Sequence, residues 1–151
     1  MKILFVCTGN TCRSCMAEAI FNKLCTMDNI TAYSAGLSVV GDSKTSKHSA
    51  ALVNSKLNMD ISTRNPMQLT ENLVKEADLI LTMTAYMRDV LKHNFPDMSS
   101  KIYMLNEYVG VSGDILDPYG GDISIYTETF KALKTSIELL LGKLKGDKST
   151  I

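Results

Sequence analysis

The 151-residue sequence carries no net charge, because sixteen basic side chains balance sixteen acidic ones. It also lacks a basic stripe with interleaved aromatics, so the electrostatic footprint of a nucleic-acid binder is missing and no nucleic-acid partner is expected. Long apolar runs are absent too. The N-terminal run Ile3, Leu4, Phe5 and Val6 is soon broken by polar residues and is too short for a signal segment or a membrane span. No cysteine follows Cys25; Cys7, Cys12, Cys15 and Cys25 crowd into the first sixth of the chain, unlike the dispersed pairs of a secreted disulfide framework. These absences point to a reducing compartment, the cytoplasm, with no membrane association. Internal repeats and linkers are missing as well, so residues 1–151 read as a single domain, expected as a monomer. Only residues 146–151 read as a frayed end.

What is present alternates. Residues 2–6 read as a buried strand, and from Ser14 the apolar positions Met16, Ala17, Ile20, Phe21 and Leu24 recur at helical spacing. A second strand is expected over residues 31–34, closed by Gly36, and a helix over residues 48–57. Thr70 and Glu71 cap a short helix reaching Ala77, and Leu79, Ile80 and Leu81 form a third strand. Thr84 caps a helix through His93, which Phe95 and Pro96 end, and residues 101–105 make a fourth strand. A Gly- and Asp-rich loop over residues 110–122 precedes a last helix striped with Ile125, Phe130, Leu133, Ile137, Leu140, Leu141 and Leu144. The order predicts an α/β fold with three layers: a doubly wound, four-stranded parallel sheet with helices on both faces. Ligands in such folds sit beyond the carboxyl ends of the strands.

The turn "CTGNTCRS", residues 7–14, lies at such an end. A loop entering a helix N-terminus exposes backbone N–H groups that no helical carbonyl accepts, and the helix dipole adds positive potential there. With Gly9 relaxing the backbone, the amides from Thr8 through Cys12 to Arg13 can surround one anion, and the Arg13 fork suits two phosphate oxygens. Cys7 at the base feels the same donors, which favour thiolate over thiol, and the Ser14 hydroxyl is placed to donate to it. A thiolate beneath a held phosphoryl group is a nucleophile in line, giving a cysteinyl-phosphate that water then hydrolyses.

The leaving group needs a proton. The two histidines, His48 and His93, sit in ordinary helical contexts and read as surface residues. In "GDILDPYGGD", residues 113–122, Asp117 precedes Pro118 on a loop that returns to the same sheet edge, and it is the candidate general acid. The same residues also read as a plain Asp-Pro turn.

With "KILFV" before Cys-x5-Arg-Ser, "MAEAIF", "SAG" after the second strand, "ADLILTMT" at the third, and Asp-Pro-Tyr about 110 residues after Cys7, the sequence resembles a low-molecular-weight protein tyrosine phosphatase. The likeness runs nearly the whole chain. It implies a protein phosphatase acting on phosphorylated proteins, with Cys7 as nucleophile, Arg13 as phosphate clamp, and Asp117 as acid and then base. It also implies that Asn10 shapes the loop through bonds to partners including Ser34, that Ser14 supports the thiolate, and that neither metal nor cofactor is used. Thr11 stands where tyrosine-directed members carry a bulky aliphatic, and "DPYGGDISIY" likewise resembles the protein-arginine phosphatase branch. That branch implies phosphoarginine as substrate, with Tyr119 as an aromatic wall. Cys15 departs from the family, which generally has proline there and so a stiffer helix start.

Three other readings compete. Cys12-Arg-Ser-Cys15 at a helix start is a dithiol oxidoreductase signature, but it leaves Arg13 and Asp117 without a task. An arsenate reductase on the same fold, by resemblance, passes oxidation to cysteines near the third strand, where this chain has none. A noncatalytic phosphate-binding module needs neither Cys7 nor Asp117. Cys12, five residues from Cys7 across a closed loop, is a candidate redox guard for it. Cys25 reads as core packing, and Arg64 beside Pro66 reads as an exposed loop arginine.

Overall fold

A computed structural model describes residues 1–149. The chain runs through β1 (Lys2–Cys7), α1 (Arg13–Leu24), β2 (Thr31–Gly36), α2 (Lys47–Leu57), α3 (Glu71–Glu76), β3 (Leu79–Thr82) and α4 (Ala85–Asn94). A 3₁₀ turn over Pro96–Lys101, β4 (Ile102–Met104), α5 (Leu105–Val109) and α6 (Ile123–Ser149) complete it. Every strand pairing is parallel and the order is β2-β1-β3-β4, so the first strand made is an inner strand of the sheet.

Alternation along the inner strands builds the two outer layers. Ile3, Phe5 and Cys7 of β1, with Leu79 and Leu81 of β3, face a cluster containing Met16 and Ile20 of α1, Val53 of α2 and Leu133 and Ile137 of α6. Leu4, Val6 and Ile80 face the opposite way, against Val74 of α3 and Leu91 of α4. A strand buried on both faces has no place for a polar side chain, which is why β1 reads as a continuous apolar run. Burying one such Ile or Phe contributes about 1.5–3 kcal/mol. The expected doubly wound, three-layer sheet is the observed one.

The helix starts follow the expected chemistry. Ser46 accepts from the Ser49 amide at 3.3 Å, Thr70 from Leu73 at 3.2 Å and Thr84 from Met87 at 3.2 Å. At the start of α6, Asp122 Oδ1 accepts from the amides of Ser124 and Ile125 and from the Ser124 hydroxyl.

Four features differ from the sequence reading. The expected fourth strand is shorter: Lys101 closes the 3₁₀ turn and Leu105 opens α5, a five-residue helix too brief to show a period. On α6 the buried stripe begins with Tyr126 at 4 % exposure, while Ile125 is 44 % exposed and Leu141 only half-buried. The expected fray at residues 146–149 is helix instead, with Lys143 and Lys145 toward the end that the dipole makes favourable for cations; Thr150 and Ile151 lie outside the described residues. His93 is exposed as expected, but His48 is half-buried, its ring 5.0 Å from that of Tyr126. Among the described residues no helix is long and apolar enough to cross a membrane.

Candidate active site

The carboxyl end of β1 turns directly into the loop that feeds α1. The loop is pinned from outside by its carbonyls: Leu37 donates to Cys7 O at 2.9 Å, Ser38 to Thr8 O at 2.9 Å and Ser46 to Thr11 O at 3.0 Å. No side chain caps α1, whose N-cap residue is Cys12, so its first amides are left for a ligand. The bend falls one residue later than expected. Asn10, not Gly9, takes the left-handed conformation, with φ 58°. Asparagine tolerates that region and here gains hydrogen bonds from it, whereas a Cβ on Gly9 would meet only Thr11 Oγ1 at 3.8 Å. The glycine that geometry demands is Gly36, at the end of β2: a Cβ there would stand 2.7 Å from Thr8 O.

Behind the loop the polar side chains form one connected set. Cys7 Sγ receives the Asn10 amide at 3.2 Å and lies 2.7 Å from Ser14 Oγ. Asn10 Nδ2 donates to Ser14 Oγ at 2.7 Å and to Ser34 Oγ at 2.9 Å, and Ser34 donates to Glu18 Oε1 at 2.8 Å. Arg64 is not the exposed loop arginine expected from sequence. Its Nη1 donates to Asn10 Oδ1 at 3.0 Å, and its Nη2 to Ser34 Oγ at 2.7 Å and to Glu18 at 3.3 Å. A guanidinium buried this far is stable because every nitrogen direction used ends on an acceptor and a carboxylate sits beside it.

The second loop arrives over the cleft from residues 110–122. Asp114 Oδ1 accepts from the Ala85 amide at 2.9 Å, Ile115 N–H donates to Met83 O at 2.9 Å, and Asn106 Nδ2 donates to Gly113 O at 2.8 Å. Arg13, only 4 % exposed, donates from Nη1 to Ile115 O at 3.0 Å, and its Nη2 stands 3.7 Å from Asp117 Oδ2. Asp117 has a half-exposed side chain, and its Oδ1 accepts from the Tyr119 amide at 3.0 Å. Tyr119, 83 % exposed, leaves its ring free at the rim.

The result is a cleft of about 480 Å³ lined by Cys7, Thr8, Gly9, Thr11, Cys12 and Arg13 of the first loop, by Asp117 and Tyr119 of the second, and by Ser38, Val40 and Ser43. All four cysteines are free. Cys12 Sγ lies 3.4 Å from the hydroxyl of Tyr126, which burial, with this contact adding, pushes up to about 12. Cys15 is 1 % exposed and its thiol donates to Cys12 O at 3.1 Å; burial first, then the neighbouring Cys7, pushes it far above the ordinary thiol range. Cys12 and Cys15 therefore do not present a dithiol to solvent. Among the described residues no three His, Cys, Asp or Glu side chains converge on a possible metal position. A thiol at the foot of a helix-entry loop, a buried guanidinium and a half-exposed carboxyl group are the parts needed to displace a group from a tetrahedral anion.

Residues 2–150 match the family model described as low molecular weight phosphotyrosine protein phosphatase. The chain belongs to that family. It is 38% identical to a protein-arginine-phosphatase of Bacillus subtilis (strain 168), over 98% of this chain and 99% of the relative. It is 40% identical to the low molecular weight protein-tyrosine-phosphatase PtpB of Staphylococcus haemolyticus, over 96% of this chain and 98% of the relative. Among solved structures it is similar to the YwlE arginine phosphatase as a C7S mutant with a phosphorylated active-site serine, with TM-score 0.91, 37% identity and 99% of both chains covered.

Within this phosphatase fold, Cys7, Thr8, Gly9, Thr11, Cys12, Arg13, Asp117 and Tyr119 share one cleft, as the sequence reading expects. Asn10, Ser14 and Ser34 stand behind the loop, fully buried, and not on its wall. The sequence reading misses Arg64 and Glu18. Glu18 carries a signal: on α1 it lies four residues after Ser14, so an acidic side chain sits on the face that packs under the loop. Arg64 carries none, since only the fold brings it to residue 10.

Proposed function

We propose that this chain is a protein phosphatase with phosphoarginine as its preferred phosphorylated side chain, working through Cys7, Arg13 and Asp117. The Cys7 sulfur attacks phosphorus, the S–P bond forms as the P–N bond breaks, and the electron pair goes to the leaving guanidine nitrogen, to which Asp117 gives its proton. The amides from Thr8 onward and Arg13 hold the three equatorial oxygens. Asp117, now ionised, takes a proton from water; the water oxygen attacks phosphorus, the S–P bond breaks, and phosphate leaves a regenerated thiolate. A relative caught with phosphate on an active-site serine in place of cysteine supports a phosphoenzyme. The crowding of all four cysteines before residue 26, each a free thiol, supports a reducing compartment.

The observation that carries the arginine preference is that Thr11 lines the same cleft as Tyr119. A phenyl ring gains from an aliphatic wall, whereas a planar, polar guanidinium loses less against a hydroxyl and stacks on an aromatic face. The phosphotyrosine reading has support of its own in the 40% identity to a tyrosine phosphatase. Comparing kcat/KM on phosphoarginine and phosphotyrosine peptides decides between them. The wild type is expected to favour phosphoarginine, and Thr11→Ile to move the ratio toward phosphotyrosine; a wild type that favours phosphotyrosine overturns the preference and leaves the phosphatase.

A further inference from the structure

The network behind the loop has two ends of fixed hydrogen-bonding sense. An arginine is donor-only and an ionised glutamate acceptor-only, while Asn10, Ser14 and Ser34 between them can each serve either way. Arg64 Nη1 presents a donor to one end of the Asn10 amide, and the Met67 N–H presents a second at 2.9 Å, so that end is the oxygen. The other end is then NH₂, and its two hydrogens go to Ser14 Oγ and Ser34 Oγ. Ser34 accepts from Asn10 and from Arg64 Nη2, which commits its single hydrogen to Glu18. Ser14 accepts from Asn10, which commits its single hydrogen to the remaining neighbour, Cys7 Sγ at 2.7 Å. With the amide reversed, two donors would face the NH₂ group, and Ser14 could turn its hydrogen away from the sulfur.

We propose that Arg64 is a positioning residue that, with the Met67 amide on Asn10 and by its own donation to Ser34, holds the polarity of this chain, so that Ser14 donates to the Cys7 sulfur instead of accepting from it. The proposal rests on Cys7 as the nucleophile, and it adds what directs the hydrogen bond onto it. Glu18 is the counter-charge that lets Arg64 stay among buried groups, at 3.3 Å. The arrangement joins three segments distant in sequence: the loop after β1 with the start of α1, Ser34 of β2, and residues 61–67. Arg64 N–H itself donates to Ile61 O at 3.2 Å, and Met67 O accepts from the Gly36 amide at 2.8 Å, so the segment that carries the guanidinium is held at both ends.

The test uses the whole chain and reads Cys7 directly, through its rate of alkylation by iodoacetamide at one fixed pH. Arg64→Met is expected to slow alkylation and to lower kcat on an aryl phosphate by roughly ten- to hundredfold, as misplacement of a reacting group does. KM should change little, because Arg13 and the loop amides remain. Arg64→Lys, also donor-only, should recover part of both losses, and Arg64→Gln, which offers an acceptor as readily as a donor, should recover less. The double variant of Arg64→Met with Ser14→Ala should lose no more than Ser14→Ala alone, since both cut one path. Additive losses in the double variant, or Arg64→Met alkylating at the wild-type rate, overturn the proposal. If Arg64→Met does not fold, Arg64→Lys and Arg64→Gln decide in its place: Lys above Gln supports the proposal, and Gln equal to or above Lys overturns it. Alkylation needs no turnover, so a protein that hydrolyses neither substrate would sink the functional reading while this arm still reports on Arg64.

Discussion

Arg13 Nη2 stands 3.7 Å from Asp117 Oδ2, while Nη1 of the same side chain donates to the carbonyl of Ile115. One guanidinium thus spans the loop after β1 and the loop that carries Asp117. On the proposed function, a phosphate entering the cleft meets a cation that these contacts already orient. Arg13→Ala is expected to weaken inhibition by inorganic phosphate and to lower kcat/KM together, by about 10²–10³ for the turnover as for loss of a transition-state donor. Cys7→Ser should separate the two, keeping phosphate binding and losing turnover. Phosphate inhibition constants, or for Cys7→Ser direct calorimetry, check both.

Asp117 is half-exposed and positioned through the Tyr119 amide, so its substitution should disturb chemistry more than shape. Asp117→Asn is expected to slow esters of weakly acidic alcohols by about 10²–10⁴ and to leave activated aryl esters much less affected, because only the former need the proton. A Brønsted plot of kcat/KM against leaving-group pKa is the measurement. An equal loss across the series removes Asp117 from the acid role.

Cys7 and Cys12 line the same cleft with free thiols. Hydrogen peroxide gives one oxygen to the Cys7 sulfur; the Cys12 sulfur then attacks, the S–O bond breaks, and water leaves as the disulfide closes. Mass spectrometry after mild peroxide should find Cys7 linked to Cys12 and Cys15 unlinked, because burial keeps the Cys15 thiol protonated and out of reach. Overoxidised Cys7 beside free Cys12 would contradict this.

The start of α6 should show its carboxylate in acid. The Ser124 hydroxyl and then the Ile125 amide hold Asp122 below the usual carboxylate range, with His48 adding a smaller pull. A carboxyl with a lower pKa folded than unfolded adds stability that is complete above the unfolded value, near about 4, and lost as pH falls through the folded one. Asp122→Ala is expected to melt below wild type at neutral pH, the gap closing as the pH is taken down below about 3. Melting curves across that range check the sign.

Much of this is legible in the sequence because it is local. The run from Ile3 to Val6 marks a strand covered on both faces, and Cys7 with Arg13 six positions later marks the cup at its end, so strand, loop and helix declare themselves within 24 residues. What stays hidden is decided by contacts across the chain. Ile125 and Tyr126 are both apolar enough for the stripe, and which one is buried depends on where α6 lies against Cys12 and His48. Glycine is the usual bearer of positive φ, which favours Gly9 for the bend; the bend belongs to Asn10, whose side chain gains four partners there, two of them from residues 64 and 67. Arg64 reads as exposed for the same reason: its side-chain partners Ser34, Glu18 and Asn10 are 30 to 54 residues away along the chain.

The strand order β2-β1-β3-β4 also bears on how the protein is made. A ribosome releases β1 first and β2 soon after, yet the other edge of β1 finds its neighbour only when Leu79–Thr82 has emerged, and α6, which covers one face, comes last of all. Until then β1, buried at five of its six positions in the fold, is open on one side, with the Cys7 thiol at its tip. Long-range parallel pairing closes slowly, and an unpaired strand edge is the common starting point of aggregation. A cell producing this chain therefore has cause to shelter β1 until β3 arrives to pair with it and α6 to cover its face.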